Sequence, residues 1–208
     1  MKAQTKESQS ALSQEKILEI LKEGNNRFVN NQSLNRFLQQ QVEETSQGQF
    51  PFAAVLSCID SRVPVETVFD QGIGDLFSIR IAGNFVNDDI LGSMEFACKL
   101  AGSKVILVLG HTSCGAVKGA CDNADLGLLT GLLEKIKPAV NAVKTPSEES
   151  LRNSKNIDFV DEVAVMNVSL TIDEIRNRSK VLAEMESDGE IKLVGAMYNV
   201  ASGKVTFL

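Results

Sequence analysis

The amino-acid sequence predicts an α/β protein with a mostly parallel central sheet, flanking helices, an N-terminal helical arm and a C-terminal hairpin or edge strand. Residues 104–110 are continuously apolar and rich in β-branched side chains, as is typical of strands covered on both faces. Strand and helix patterns alternate along the chain, which favours a sheet that is parallel in its centre. Residues 191–198 and 204–207 flank a Ser-Gly turn and predict a hairpin, whose last strand would be an antiparallel edge.

The first 45 residues predict the helical arm. Residues 1–12 are polar, and we expect them to be frayed. Residues 13–30 predict an amphipathic helix, because its apolar positions recur at helical spacing: Ile17, Ile20, Leu21 and Phe28. Ser33 could cap a second helix over 33–45. The apolar face of that second helix would comprise Leu34, Phe37, Leu38 and Val42.

The rest of the chain predicts alternating strands and helices. Further strands are expected at 53–57 and 76–81. Asp88 or Asp89 would cap a helix that ends at Ala101, before Gly102. The later helical patterns cover 114–121, 126–143 and 157–178, and the polar segment 145–156 predicts a surface loop.

The length of the chain allows one domain or at most two small ones, and we expect one domain over residues 1–208, with residues 1–45 as its arm. The chain has 208 residues, of which 43% are hydrophobic and 23% are charged, as in an ordinary globular protein. A chain of this length buries enough surface to fold without disulfides.

Charge and hydropathy argue against nucleic acid and membrane as partners. The 21 basic and 27 acidic side chains give a formal net charge of −6. Phosphate binding needs a local surplus of Lys and Arg, and the sequence has no basic patch of useful length. It also has no run of 18 apolar residues that would predict a spanning helix.

The sequence favours a cytoplasmic location. Its N-terminus lacks the apolar stretch of a secretory signal. The four cysteines are too few and too scattered for a disulfide scaffold, so a reducing compartment is the simpler expectation.

Three side chains with affinity for metals are expected at neighbouring strand ends. Cys58 follows strand 53–57, His111 follows strand 104–110, and Cys114 opens the next helix. The carboxyl ends of parallel strands deliver side chains into one crevice. Two thiolates and an imidazole are preferred zinc donors, and three protein ligands leave one position open, which is typical of catalytic sites.

Each of these residues has a simpler interpretation when it is taken alone. A single cysteine after a strand is more often a small buried hydrophobe than a ligand. The metal hypothesis is favoured by the combination, in which Asp60 and Arg62 closely follow Cys58. Cys98 and Cys121 are expected in the core, since neither has obvious reach to the other three.

Two segments of the sequence resemble the signature segments of the β-class carbonic anhydrases. They are Ser-Cys-Ile-Asp-Ser-Arg at 57–62 and Gly-His-Thr-Ser-Cys-Gly at 110–115. Four further segments also resemble the family, at 24–28, 74–77, 80–84 and 194–198. The resemblance therefore covers most of the chain.

The resemblance implies a zinc lyase that reversibly hydrates carbon dioxide to bicarbonate and a proton. One Zn²⁺ per chain would be bound by Cys58, His111 and Cys114, and zinc-bound hydroxide would attack carbon dioxide. The carboxylate of Asp60 would accept the hydrogen of that hydroxide. Arg62 would hold Asp60 ionised and away from the metal.

The resemblance also implies a substrate pocket, partly supplied by a neighbouring subunit. Its positions in this sequence are Gln49, Phe77, Ala82, Phe96 and Gly115. Gln49 would donate a hydrogen bond to a substrate oxygen. Gly115 would let the backbone approach the substrate. Ala82 and Phe96 stand where larger aliphatic and tyrosine side chains are common in the family.

The same resemblance predicts an open site. One subclass of the family binds regulatory bicarbonate through a tryptophan and a glycine, at positions held here by Val55 and Ser57, and this chain has no tryptophan. We therefore expect water, and not Asp60, on zinc at neutral pH. His111 is the single histidine, so proton export would depend on buffer, water chains or carboxylates.

Three alternatives remain at this stage. A carbon disulfide or carbonyl sulfide hydrolase would share the zinc site. A non-catalytic zinc-binding protein would need the water position blocked or Asp60 and Arg62 missing. Thiol redox chemistry is less favoured, because the sequence has no Cys-x-x-Cys motif.

Self-association as a dimer or a dimer of dimers is implied by the resemblance. The predicted helices at 13–30 and 33–45 could embrace a partner subunit, but helices that dock within the chain would show the same apolar pattern.

Overall fold

The computed structural model describes residues 2–208 and contains a five-stranded sheet in the order β2-β1-β3-β4-β5. Strands β1 to β4 are mutually parallel, and β5 pairs antiparallel with β4. The bounds are β1 Ala53–Ser57, β2 Leu76–Arg80, β3 Val105–His111, β4 Lys192–Tyr198 and β5 Val205–Phe207. The predicted fold class, including the antiparallel edge, is confirmed.

Helices cover both faces of the sheet. Their bounds are α1 Lys6–Ala11, α2 Gln14–Val29, α3 Leu38–Thr45, α4 Val65–Val68, α5 Asp88–Glu95, α6 Gly115–Cys121, α7 Gly127–Leu133, α8 Lys137–Ala142, α9 Ile157–Arg178 and α10 Lys180–Ser187. Helices α2 and α4 pack on one face, and α5 to α10 pack on the other. Every residue of β1 and β3 is buried, which explains their continuous apolar runs.

The strand register brings the carboxyl ends of β1, β2 and β3 together. Ser57, the last residue of β1, pairs with Arg80 on one side and Leu109 on the other. Strand β3 continues two residues further and ends at His111, which pairs with Tyr198. Residues that follow β1 and β3 therefore meet at one edge of the sheet.

The N-terminal arm differs from the prediction in two places. Residues 6–11 form α1 instead of fraying, because Thr5 caps the helix and the buried side chain of Gln9 donates to the carbonyls of Pro51 and Ala101. The second helix begins at Leu38 and not near Ser33, because the Leu34 N–H is turned towards the carboxylate of Asp70.

Three helices outside the arm also differ from the prediction. Asn87 caps α5 instead of Asp88 or Asp89, and a π-helical turn at 96–100 completes that helix. The single helix expected at 126–143 is two short helices, and the second has Pro138 in its first turn, where proline is tolerated. Helix α10 was not predicted; Ser179 ends α9 and also caps α10.

Within residues 2–208, no helix is long and apolar enough to cross a membrane.

Candidate metal centre

The three expected ligands lie together at the carboxyl edge of the sheet. One ligand atom each from Cys58, His111 and Cys114 can be chosen so that all three lie within 4.8 Å of one another. The two sulfur atoms are 4.0 Å apart. All three side chains are buried, with at most 4% of any residue exposed. The local cause is simple, since β1 and β3 are neighbours and Cys114 is the N-cap of α6.

The imidazole of His111 presents one nitrogen to the cluster. Its Nδ1 lies 3.0 Å from the carbonyl oxygen of Thr112 and donates to it. The other ring nitrogen, Nε2, is buried without a hydrogen-bond partner. A buried nitrogen lone pair without a partner is costly, and a metal cation is a ligand that would satisfy it.

The sulfur atoms of Cys58 and Cys114 are within hydrogen-bond distance of each other. A hydrogen bond from the Cys114 thiol lowers the pKa of Cys58, and the same bond raises the pKa of Cys114. The backbone N–H of Gly83 also donates to the Cys58 sulfur at 3.4 Å and favours its thiolate. Both sulfurs bind a metal as thiolates, so metal binding would release any proton that they hold.

Asp60 is held beside the cluster by Arg62. The guanidinium donates from Nε to Oδ1 at 2.9 Å and from Nη2 to Oδ2 at 2.8 Å, and the Arg62 backbone N–H adds a third bond to Oδ1. These bonds hold the pKa of Asp60 well below its usual range. Asp60 Oδ2 lies 3.9 Å from His111 Nε2, so an ionised carboxylate faces the ligand cluster.

Arg80 supports the turn that carries Cys58 and Asp60. Its Nε donates to the Cys58 carbonyl at 2.9 Å, and its Nη2 donates to the Asp60 carbonyl at 2.6 Å. Neither Arg80 nor the Gly83 N–H was singled out from the sequence. Both lie in the segment 80–84 that resembles the family, which was the available signal.

Two of the expected pocket residues, Ala82 and Gly115, are sequence neighbours of residues that contact or form the cluster. Ala82 precedes Gly83, whose N–H donates to Cys58, and Gly115 begins α6 directly after Cys114, with open space where a side chain would be. Phe77 and Phe96 form an edge-on ring pair with centroids 6.1 Å apart, in a groove that also includes Arg80.

Gln49 lies at the opposite edge of the sheet. It is exposed and precedes the amino end of β1, whereas Cys58 follows the carboxyl end. Five strand residues span about 16 Å. The fold therefore does not bring Gln49 to the metal cluster of its own chain.

The donor set fits zinc. Two thiolates at about 2.3 Å from one tetrahedral zinc ion lie about 3.8 Å apart, close to the 4.0 Å between the Cys58 and Cys114 sulfurs. Nε2 of His111, which has no hydrogen-bond partner, would supply a third donor of the type that zinc prefers. Fold and cluster thus define an α/β zinc protein with three protein ligands, which is typical of a catalytic centre.

Known proteins with the same sequence features identify the family. The sequence model of the carbonic anhydrase family matches residues 53–205. A carbonic anhydrase of Mycolicibacterium smegmatis is 36% identical over 193 residues, which cover 89% of this chain and 88% of that protein. Carbonic anhydrase 2 of Mycobacterium tuberculosis is 34% identical over 192 residues, which cover 88% of this chain and 87% of that protein.

A solved structure agrees with the sequence comparisons. The crystal structure of a β-carbonic anhydrase of Aspergillus fumigatus superposes with a TM-score of 0.72 at 26% identity, covering 93% of this chain and 89% of that chain. The chain belongs to the β-carbonic anhydrase family. It is a zinc enzyme whose expected reaction is the hydration of carbon dioxide, with bicarbonate as the product. The sulfur-substrate alternative is not favoured.

Proposed function

We propose that this chain catalyses the reversible hydration of carbon dioxide at a zinc ion held by Cys58, His111 and Cys114, with Asp60 and Arg62 as its catalytic pair. The observation that carries this assignment is that the three metal-binding side chains lie next to the carboxylate of Asp60. Three buried donors converge within 4.8 Å, and an ionised carboxylate faces one of them from 3.9 Å.

Zinc bound to these donors supplies a Lewis acid that makes hydroxide available from water near neutral pH. The two thiolates offset the charge of the cation. The protein would then have to orient the attacking oxygen, and the carboxylate of Asp60 would do this by accepting its hydrogen. Because Arg62 donates to both carboxylate oxygens of Asp60, the orientation of this carboxylate as a hydrogen-bond acceptor is fixed before substrate enters.

The same pair supports an open site. Asp60 is close enough to the cluster to approach a metal, but three hydrogen bonds from Arg62 direct its oxygens to the guanidinium and the backbone. We therefore propose that water has access to the metal at neutral pH. A crystal structure at pH 7 or above with Asp60 coordinated to zinc would contradict this.

The substrate pocket is proposed to include Ala82 and Gly115 beside the ligands and the Phe77–Phe96 pair in the adjoining groove. Carbon dioxide is small and apolar, which suits apolar walls with few polar groups. Gln49 is proposed to serve the site of a neighbouring subunit, since the fold keeps it at the far edge of its own sheet.

Self-association is supported by two exposed surfaces. On the arm, Phe37 is 66% exposed, and Leu34, Leu38 and Val42 are also exposed, so this apolar face does not dock within residues 2–208. Strand β2 is the edge of the sheet, and Phe96 beside it is 52% exposed. We propose that a second copy covers these surfaces as a dimer, which could pair into a dimer of dimers.

A cytoplasmic location is also proposed. Cys58 and Cys114 bind zinc only as reduced thiolates, and a reducing compartment keeps them so. Subcellular fractionation of the source cells, followed by detection of this chain, tests the proposal.

Stopped-flow measurement of carbon dioxide hydration tests the function and the catalytic pair together. We expect wild type with one zinc per chain to be active, and Asp60→Asn with the same zinc content to lose about 100-fold or more of its rate. Zinc-loaded wild type without hydration activity would overturn the proposal. Carbon disulfide and carbonyl sulfide would then be tested in the same sample.

A further inference from the structure

The turn between His111 and Cys114 is held from outside the sheet by helix α9. The backbone N–H of Ser113 donates to Asp161 Oδ1 at 2.7 Å. Asp161 lies in the early part of α9, 48 residues further along the chain. A carboxylate is a stronger hydrogen-bond acceptor for a backbone N–H than a neutral oxygen is.

Ser113 adopts a conformation that needs such support. Its φ is +55°, in the left-handed region that residues other than glycine, asparagine and aspartate rarely adopt. This conformation turns the chain sharply between the end of β3 and the start of α6. It thereby allows two residues only three positions apart, His111 and Cys114, to face the same point.

The other side of the turn is fixed by β4 and the residues after it. The Thr112 N–H donates to the carbonyl of Tyr198, and the Val200 N–H donates to the Thr112 hydroxyl. The Thr112 carbonyl accepts from His111 Nδ1. These contacts fix Thr112 and the imidazole, whereas the contact that fixes Ser113, and with it Cys114, comes from Asp161.

We propose that Asp161 is a positioning residue of the zinc centre. Its carboxylate holds Ser113 in the left-handed conformation and so sets the position of Cys114 Sγ relative to His111 Nε2 and Cys58 Sγ. This inference rests on the proposed zinc function. Asp161 acts through the Ser113 N–H, and its effect is on metal geometry and affinity before any substrate binds.

The test measures zinc affinity by competition with a chelator and the visible absorption of the Co²⁺-substituted protein, whose bands report ligand geometry. We expect Asp161→Ala to weaken zinc binding about tenfold or more, as is typical when a partner that orients a ligand is lost, and to change the cobalt spectrum. Asp161→Asn keeps an acceptor oxygen and should bind zinc within about threefold of wild type. Asp158→Ala, an exposed position on the same helix, is the matched control and should equal wild type.

Ser113→Gly provides a rescue that a general loss of stability would not show. Glycine adopts φ +55° without strain, so the double variant Asp161→Ala/Ser113→Gly should recover zinc affinity and the wild-type cobalt spectrum. If Asp161→Ala alone does not fold, recovery of folding and zinc binding in the double variant supports the proposal. A double variant that still fails to bind zinc overturns it.

Two further results would overturn the proposal. One is wild-type zinc affinity and cobalt spectrum in Asp161→Ala. The other is an equal loss in Asp161→Asn and Asp161→Ala, because charge and not hydrogen bonding would then be responsible. Neither readout requires turnover, so a failure of carbon dioxide hydration in wild type is distinguishable from a failure of the Asp161 assignment.

Discussion

At the residue scale, the Asp60–Arg62 ion pair contributes little to the stability of the fold but strongly fixes the orientation of the Asp60 carboxylate. The Arg62 side chain is 50% exposed, and ion pairs as exposed as this contribute little to folding. Three hydrogen bonds nevertheless fix the direction of the Asp60 carboxylate beside the cluster. We therefore infer that Arg62 acts on the rate of reaction through Asp60.

Loss of the guanidinium fork tests that inference. We expect Arg62→Gln to reduce kcat/KM for carbon dioxide hydration by about 100-fold, because Asp60 loses its fixed direction. The unfolding free energy should change by less than about 1 kcal/mol. The measurements are stopped-flow hydration and urea unfolding at constant zinc content.

Arg176→Gln is a matched control for Arg62→Gln. Arg176 makes the same two-bond contact with Glu186, at 2.8 and 2.9 Å, and is similarly exposed, but it lies on the surface of α9. We expect the control to keep the wild-type rate. An unchanged rate in Arg62→Gln, or an equal loss in both variants, would contradict the role of the pair.

The single histidine leads to a second prediction at this scale. His111 is fully buried and is assigned to the metal, so no imidazole is left to carry protons to solvent. We expect kcat near pH 7 to rise with the concentration of added imidazole buffer and then to saturate. The check is stopped-flow hydration at constant ionic strength, and a kcat independent of buffer concentration would argue against it.

The sequence could predict that Cys58, His111 and Cys114 lie together, but not which residues position them. Cys58 follows β1 and His111 ends β3, two strands that are recognisable from local apolar runs. A parallel sheet made their convergence an expectation, and the pairing of β1 with β3 brings them together. Arg80 and Asp161 act on turns 20 and 48 residues away. No local pattern encodes such contacts, because they depend on which elements pack behind the site.

At the scale of elements, α2 is attached to the domain by a glycine and a buried asparagine. A side chain at Gly24 would lie 1.8 Å from the carbonyl oxygen of Phe69, so only glycine permits this close approach to the end of α4. Asn25 donates to the carbonyls of Val68 and Gly203 and accepts from the Val205 N–H. This one side chain therefore connects α2 to α4 and to the C-terminal hairpin.

Removal of that connection is expected to destabilise the fold without affecting the chemistry. Asn25→Ala leaves buried backbone groups unpaired and should lower the unfolding free energy by about 2–3 kcal/mol. Asn26→Ala, at the exposed neighbouring position, should change it by less than about 0.5 kcal/mol. The measurement is urea unfolding followed by circular dichroism at one protein concentration; equal stabilities of the two variants would contradict the assignment.

The two differences in the N-terminal arm share a physical cause, which is a hydrogen bond to a residue distant in the sequence. Helix α1 is stabilised by tertiary hydrogen bonds of Gln9, which the polar composition of residues 1–12 does not reveal. The second arm helix starts late because Asp70, 36 residues away, takes the Leu34 N–H. Strands were predicted more accurately, since burial on both faces leaves a continuous apolar run in the sequence itself.

At the scale of the whole molecule, the two hydrophobic cores share one sheet. Alternate side chains of β1 enter one core or the other, so neither core can form without the sheet. We propose that residues 1–208 are one domain. Urea unfolding should then show one transition, coincident by circular dichroism and by the exposure of the four buried thiols. Two separated transitions would contradict this.

Dimer formation has its own test. We expect Phe37→Asp to shift the protein from dimer to monomer in analytical ultracentrifugation, because the charge lies on the exposed apolar face of the arm. Leu128→Asp, which changes a residue that is 98% exposed on α7, is the control and should leave the dimer intact. A Phe37→Asp protein that remains dimeric at micromolar concentration would contradict the proposed surface.

The most direct test of the central claim is the dependence of carbon dioxide hydration on zinc content. Protein samples with graded zinc occupancy are assayed by stopped flow, beside Cys58→Ser. We predict that the initial rate increases in proportion to zinc up to one ion per chain, and that Cys58→Ser lacks both tightly bound zinc and activity. Activity that does not depend on zinc, or full zinc binding and activity in Cys58→Ser, would contradict the assignment of the site.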